Sequence, residues 1–198
     1  MVYNFDEHIE RRDPVSVKWA MYPDDVLPLW VADMDFRSPP EVIAALQQRA
    51  AHGVFGYHFD APGLREVLVE RYRTRHGLNV TGDQFVFTPG IVATLNLITR
   101  TFHHPGEGVL VQTPIYPPFL TAPKNGGKQL QTAEMAVTVE GQRLRYEIDF
   151  DRFEAAITPE TRMFILCNPY NPVGRVYTRA ELEKLAEICL RHNLLIIA

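Results

Sequence analysis

The stretch that most restricts the fold is Met163–Phe164–Ile165–Leu166–Cys167–Asn168–Pro169–Tyr170–Asn171–Pro172–Val173–Gly174. It begins as an apolar run without polar alternation, the pattern of a strand covered on both faces in a parallel sheet. Two Asn-Pro pairs and a Gly then stop it. Each Pro removes a backbone donor and drives the Asn before it toward an extended conformation. Asn171 therefore sits at a strand end on stiff backbone, with an amide that can both donate and accept. Ligands collect at the carboxyl ends of strands in open α/β sheets. A plain Pro-rich turn with no ligand fits the same residues.

Strand-like and helix-like patterns alternate along the rest of the chain, which predicts an α/β class with a largely parallel sheet. Residues 1–38 read as an irregular arm containing Trp30-Val31-Ala32-Asp33-Met34-Asp35-Phe36, and 39–198 as the main domain. Ser38 is the expected N-cap of a helix that Pro39 and Pro40 open and His52-Gly53 closes. The aromatic-rich Val54–Phe59 follows, then a helix from about Leu64 to His76 closed by Gly77. Gln84–Thr88 reads as a strand, with Pro89-Gly90 turning the chain into a helix near Ile91 or Val92. A strand at Val109–Gln112, a helical stretch to Asn125 and a strand near Gln129–Met135 come next. A helix over Asp149–Ile157, the opening strand, a helix from Arg179 to about His192 and a final strand after Asn193 complete the series.

A chain of 198 residues can bury a sizeable core. Its net charge of -4 argues against a dedicated nucleic-acid surface. The basic run Arg71, Arg73, Arg75 and His76 reads as a solvated helix face. Met1–Glu7 lacks the pattern of a signal peptide, and no apolar run reaches the roughly 18–20 residues of a membrane span. Cys167 and Cys189 make neither a metal spacing nor a CxxC pair, and read as buried thiols in a reducing cytoplasm. Lys18, Lys124, Lys128 and Lys184 read as solvated.

Two further strand ends carry chemistry. Thr88-Pro89-Gly90-Ile91-Val92 is a strand–turn–helix start, whose free N–H groups and dipole suit a phosphate. It lacks both GxGxxG and the GK[ST] of a Walker loop, which counts against an NAD-type Rossmann protein, and a plain βα turn remains open. Tyr116, held among Pro114, Pro117 and Pro118, could stack on a flat heteroaromatic ring or simply pack. A phosphate cradle, a stacking ring and an amide at three strand ends suit a flat phosphorylated cofactor.

The order Phe55-Gly56-Tyr57, Thr88-Pro89-Gly90, Pro114-Ile115-Tyr116 and Asn168-Pro169-Tyr170-Asn171-Pro172-Val173-Gly174 resembles the fold-type I pyridoxal-phosphate enzymes of the class I/II aminotransferases. The arm around Ala32, with Pro172-Val173-Gly174-Arg175-Val176, resembles their cystathionine β-lyase (carbon–sulfur lyase) branch. The resemblance covers essentially the whole chain. It implies a three-layer αβα large domain, left incomplete here, with residues 1–38 as an arm of the small domain. It implies pyridoxal 5'-phosphate as cofactor: amides of Gly90, Ile91 and Val92 on the phosphate, Tyr116 stacked on the ring, and Asn171 on its phenolic oxygen. Tyr57 would reach the phosphate of a neighbouring subunit in a homodimer and, with Ala32, line the amino-acid side. The implied reaction is β-elimination from cystathionine or another cysteine S-conjugate, giving thiol, ammonia and pyruvate. Rival readings are an aminotransferase and a non-catalytic or regulatory module.

The family's Schiff-base lysine, its pyridinium-pairing Asp and its carboxylate-binding Arg have no counterpart in these residues. The chain is therefore expected to be an N-terminal fragment, inactive alone. In the family fold, two strands encoded beyond residue 198 would stand between Phe85–Thr88 and the other strands. The isolated chain is then expected to fold poorly or aggregate, because buried unpaired backbone is costly.

Overall fold

The structure, a computed structural model, describes residues 3–12, 15–57, 61–102 and 104–198. It separates into two compact units, residues 1–64 and 65–198. His58 and Phe59, part of the aromatic stretch, lie outside the described residues, as do Met1 and Val2.

The first unit holds the one-turn helix α1 (Val17–Ala20) and α2 (Pro40–His52). The N-cap of α2 is Pro39, not Ser38. Pro40 disfavours the helical region for the residue before it, so Pro39 stays extended at φ −51°, ψ 139° and becomes the last non-helical residue. Gly53, at φ 72°, closes α2 in the left-handed conformation. The arm is braced on Asp35. Its carboxylate accepts from Lys18 Nζ at 2.6 Å, Trp19 Nε1 at 2.8 Å and Arg11 Nη1 at 3.1 Å. The Lys18 bond, then that of Trp19, holds the Asp35 carboxyl below its ordinary range. Lys18 is thus partnered and half-buried rather than solvated.

The second unit contains α3 (Leu64–His76, whose first residue lies in the first unit), α4 (Ile91–Thr101), β1 (Gly108–Thr113), α5 (Pro118–Asn125) and β2 (Gln129–Glu134). A hairpin of β3 (Ala136–Glu140) and β4 (Arg143–Glu147) follows, then α6 (Phe150–Ala155), β5 (Thr161–Ile165), α7 (Arg179–Arg191) and β6 (Leu195–Ile197). The main sheet is parallel throughout, in the order β2-β1-β5-β6, so the expected α/β class with a mostly parallel sheet is observed. Val109, Leu110 and Val111 of β1 and Met163, Phe164 and Ile165 of β5 are at most 1% exposed and form the centre of the core. Phe153 of α6 packs edge-on against Phe164, with ring centroids 4.9 Å apart. Leu185, Ile188 and Cys189 cover the same core from α7. Burial pushes the Cys189 thiol up to about 11.

Three expectations fail here. Gln84–Thr88 is not a strand: a 3₁₀ turn (Gly82–Gln84) precedes an extended segment without a ladder partner among the described residues. The Phe85 carbonyl is taken instead by Arg65 Nη1 at 2.8 Å, and the Arg65 guanidinium lies 4.9 Å from the centre of the Phe87 ring. Lys128 is buried rather than solvated, because its Nζ donates to His104 O at 2.6 Å at the entry to β2. Cys167 lies two residues beyond the end of β5 and is half-buried, since the Asn-Pro pairs end the ladder first. The β3–β4 hairpin was not anticipated, although Gly141-Gln142 between alternating residues is a two-residue hairpin loop and Gly141 has φ 61°.

Candidate cofactor site

The start of α4 is shaped by Gly90, its N-cap, at φ 143°, ψ 165°. No side chain caps this end and its first turn contains no acidic residue. The leading N–H groups of a helix lack intrahelical acceptors. A Cβ added to Gly90 would meet no atom within 4 Å, so the approach to those amides is open. Thr94 fixes the turn: its Oγ1 donates to Gly90 O at 3.0 Å and shares a hydrogen with Thr88 Oγ1 at 2.5 Å. Further along α4, Thr99 Oγ1 donates to Ala122 O at 2.9 Å and ties the helix to α5. Ile91 and Val92 are exposed.

Beyond β1, Ile115 is buried and Tyr116 emerges 37% exposed. The Tyr116 amide donates to Asn171 O at 2.9 Å, so the tips beyond β1 and β5 are directly joined. Asn171 N in turn donates to Cys167 Sγ at 3.5 Å. With its backbone tied on both sides, Asn171 leaves an exposed carboxamide free of partners among the described residues. The neighbouring Asn168 is used differently: its Oδ1 accepts from Tyr177 N at 3.0 Å, and the Tyr177 hydroxyl donates to Gln112 Oε1 of β1 at 3.0 Å. The Thr113–Pro114, Asn168–Pro169 and Asn171–Pro172 bonds are cis.

Between the start of α4 and the ends of β5 and β6 lies a mostly apolar cavity of about 250 Å³. Ile91, Leu95, Ile165, Cys167, Asn168 and Ile197 are among its walls. Ile91 therefore shares a cavity with the segment that leads to Asn171, while Tyr116 and Asn171 stand outside it. Tyr57 and Ala32 belong to the first unit, where both are exposed and the Tyr57 ring is entirely open.

These atoms fit a flat phosphorylated ring. The open, uncapped amides at Gly90, Ile91 and Val92 suit an anion, Tyr116 offers a half-exposed face, and Asn171 offers an unspent donor. Sequence reasoning missed the polar cluster of Arg175, Tyr177 and Glu181 beside this turn, of which only the Thr178-x-x-Glu181 capping box leaves a local signature. Both Tyr170 and Tyr177 hydroxyls resist ionisation, chiefly through burial.

Residues 24–198 match the family described as aminotransferase class I and II. Over 98% of its length the chain is 37% identical to cystathionine beta-lyase PatB of Bacillus subtilis (strain 168), covering 51% of that protein. The crystal structure of cystalysin from Treponema denticola, which contains pyridoxal 5'-phosphate, superposes with a TM-score of 0.81 at 32% identity, over 99% of this chain and 51% of that one. The PLP-bound C-S lyase of Staphylococcus hominis gives a TM-score of 0.80 at 30% identity, over 99% and 50%. The chain spans about half the length of the curated relatives it matches.

Proposed function

This chain belongs to the class I and II aminotransferase family, and from that premise we propose that it forms the cofactor-gripping part of a pyridoxal-phosphate-dependent carbon–sulfur lyase. The observation that carries the reading is the bond from Tyr116 N to Asn171 O at 2.9 Å, which joins the backbone of the two tips that carry the ring and the carboxamide. The lyase names of the relatives support the reaction class.

When bound, the cofactor supplies an electron sink for the substrate's α-carbon. The amides of Gly90, Ile91 and Val92 hold its phosphate, with the dipole of α4 behind them. The Tyr116 ring covers one face of the pyridine. The Asn171 amide donates to the phenolic oxygen and favours its ionised form. Tyr57, fully exposed in its own unit, reaches the phosphate of a second copy in a homodimer, and with Ala32 lines the amino-acid side. The substrate is cystathionine or another cysteine S-conjugate. Overall, the S-conjugate and one water would give the thiol, pyruvate and ammonium, the α-proton and the Cβ–S electron pair being recovered in the thiol and ammonium. No residue of this chain is assigned the α-proton: Lys18 and Lys128 are engaged by Asp35 and by the His104 carbonyl, and Lys124 and Lys184 are exposed.

The test is an assay of the gene product that contains this chain with cystathionine. Pyruvate formed without an added 2-oxo acid supports the lyase. Strict dependence on a 2-oxo acid rejects it in favour of an aminotransferase, the second reading, which the family's own description favours. The 198-residue chain alone, mixed with pyridoxal phosphate and dialysed, is expected to retain no absorbance of a covalently held ring.

A further inference from the structure

The tip that presents Asn171 is a loop, Tyr170–Arg175, closed at its base. Tyr170 N donates to Arg175 O and Gly174 N donates to Tyr170 O, both at 2.7 Å, with Gly174 reversing the chain at φ 75°. The side chain at the base of the loop reaches outward in three directions. Arg175 Nη2 donates to both carboxylate oxygens of Glu181, at 2.6 and 2.7 Å. Its Nη1 donates at 2.6 Å to the carbonyl of Tyr146, in the hairpin strand β4. Its guanidinium carbon lies 5.1 Å from the centre of the Tyr177 ring. Glu181 is itself held, because Thr178 N and Oγ1 donate to its Oε2 at 2.8 and 3.0 Å. The side chains of Arg175 and Glu181 are only 24% and 20% exposed, so solvent screens this pair less than a surface pair.

We propose that Arg175, clamped by Glu181, is a positioning residue that fixes the direction of the Asn171 carboxamide. The proposal rests on the cofactor reading above and names a group that touches neither ring nor phosphate. The Arg175 side of the loop base is fastened both to the start of α7 and to the hairpin, while the apex is fastened by Tyr116 N. Charge-assisted bonds of this length are about twice as strong as neutral ones. A planar guanidinium donates from two nitrogens in fixed directions, one to the carboxylate and one to the carbonyl; an ammonium is a compact point charge and reproduces that spread only in part. With the fork removed, the loop keeps its two backbone bonds but can turn as a flap about Tyr170 and Arg175. Hydrogen bonds weaken steeply as their angle closes, so a small turn at the base costs the donation made at the apex.

The test uses the gene product containing this chain, loaded with pyridoxal phosphate. The dissociation constant of the cofactor and the pH midpoint of its bound absorbance are measured for Arg175→Ala, Arg175→Lys, Asn171→Ala and the double variant R175A/N171A. Donation from Asn171 favours the ionised ring oxygen, so losing it raises the midpoint. Asn171→Ala is expected to weaken cofactor binding about 10- to 100-fold, the effect of losing one hydrogen bond to a charged atom. Arg175→Ala moves both readouts in the same direction by about tenfold in affinity or less, Arg175→Lys moves them less, and the double variant is no worse than Asn171→Ala. In the cofactor-free protein, hydrogen exchange at the Tyr116 amide, which donates to Asn171 O at the apex, speeds up in Arg175→Ala and is partly restored in Arg175→Lys.

Wild-type affinity and midpoint in Arg175→Ala, or additive effects in the double variant, overturn the proposal while leaving the role of Asn171 standing. Wild-type values in Asn171→Ala overturn that role and this proposal with it. Should Arg175→Ala fail to fold, Glu181→Gln keeps the shape and the hairpin bond but weakens the clamp. It carries the same expectation at smaller size, and wild-type readouts there overturn the proposal equally.

Discussion

Val109, Leu110 and Val111 are at most 1% exposed and lie in β1 with a hydrogen-bonded strand on either side. Phe85, Val86 and Phe87 are as apolar, and Phe85 is extended at φ −89°, ψ 124°, yet Val86 is 84% exposed and Phe87 43%. Local preference for an extended chain is the same in both stretches. What differs is the supply of backbone partners: β1 has β2 and β5, whereas among the described residues Phe85 O is met by the guanidinium of Arg65 and by no strand. A strand is thus a property of its neighbours as much as of its residues. The same contrast runs along the chain. Pro28 apart, every buried apolar side chain among the described residues lies at or after Leu95, and α2 and α3 bury none.

The contrast is tested most severely by truncating one ring in each region. Phe164→Ala should lose about 3–5 kcal/mol of stability, read from the urea midpoint, because it leaves a cavity against Phe153. Phe87→Ala should lose about 1 kcal/mol or less, the worth of an exposed cation–π contact. Equal losses would erase the distinction. Next in size is a division between stability and binding at the Asn171 tip. Asn171→Ala should leave the urea midpoint within about 0.5 kcal/mol of the parent, since its side chain is exposed and unpartnered. Its loss should appear in cofactor affinity instead, at the size given above. A smaller effect is expected from Val86→Lys: little change in the unfolding midpoint, but less dye binding to exposed apolar surface and less light scattering on concentration.

The smallest effect is a pH dependence located at Glu181. Burial opposes its ionisation, but the Thr178 amide, the Arg175 guanidinium and the Thr178 hydroxyl outweigh burial and lower its pKa from 4.5. A lowered carboxyl pKa stabilises the fold above the unfolded value and loses that contribution as pH falls through the folded one. Acid unfolding below about pH 4.5 should therefore be shallower in Glu181→Gln than in the parent, monitored by circular dichroism.

Much of this architecture could be read from residues in a row. The helix Leu64–His76 and its Gly77 stop, the α7 register of Leu185, Ile188 and Cys189, and the strand before the Asn-Pro pairs all follow from local periodicity and breakers. Two of the misreadings share a cause, dependence on a partner distant in sequence, whereas the Ser38 cap and the burial of Cys167 were decided by neighbouring prolines. Lys128 looked solvated because nothing near it announces the His104 carbonyl. The segment at Phe85–Thr88 looked like a strand because pairing is invisible locally. At the candidate site, Gly90, Tyr116 and Asn171 were visible as breakers and rings at strand ends. Arg175 was not visible as a brace, since the carbonyl it holds is 29 residues upstream in a hairpin that was itself overlooked.

Tyr116 stands three residues beyond the most deeply packed strand of the sheet, with Pro114, Pro117, Pro118 and the buried Ile115 around it limiting its slack. A planar guest arriving there meets a surface that folding has already stilled. The loss of freedom on docking then falls almost wholly on the guest, and little on the host.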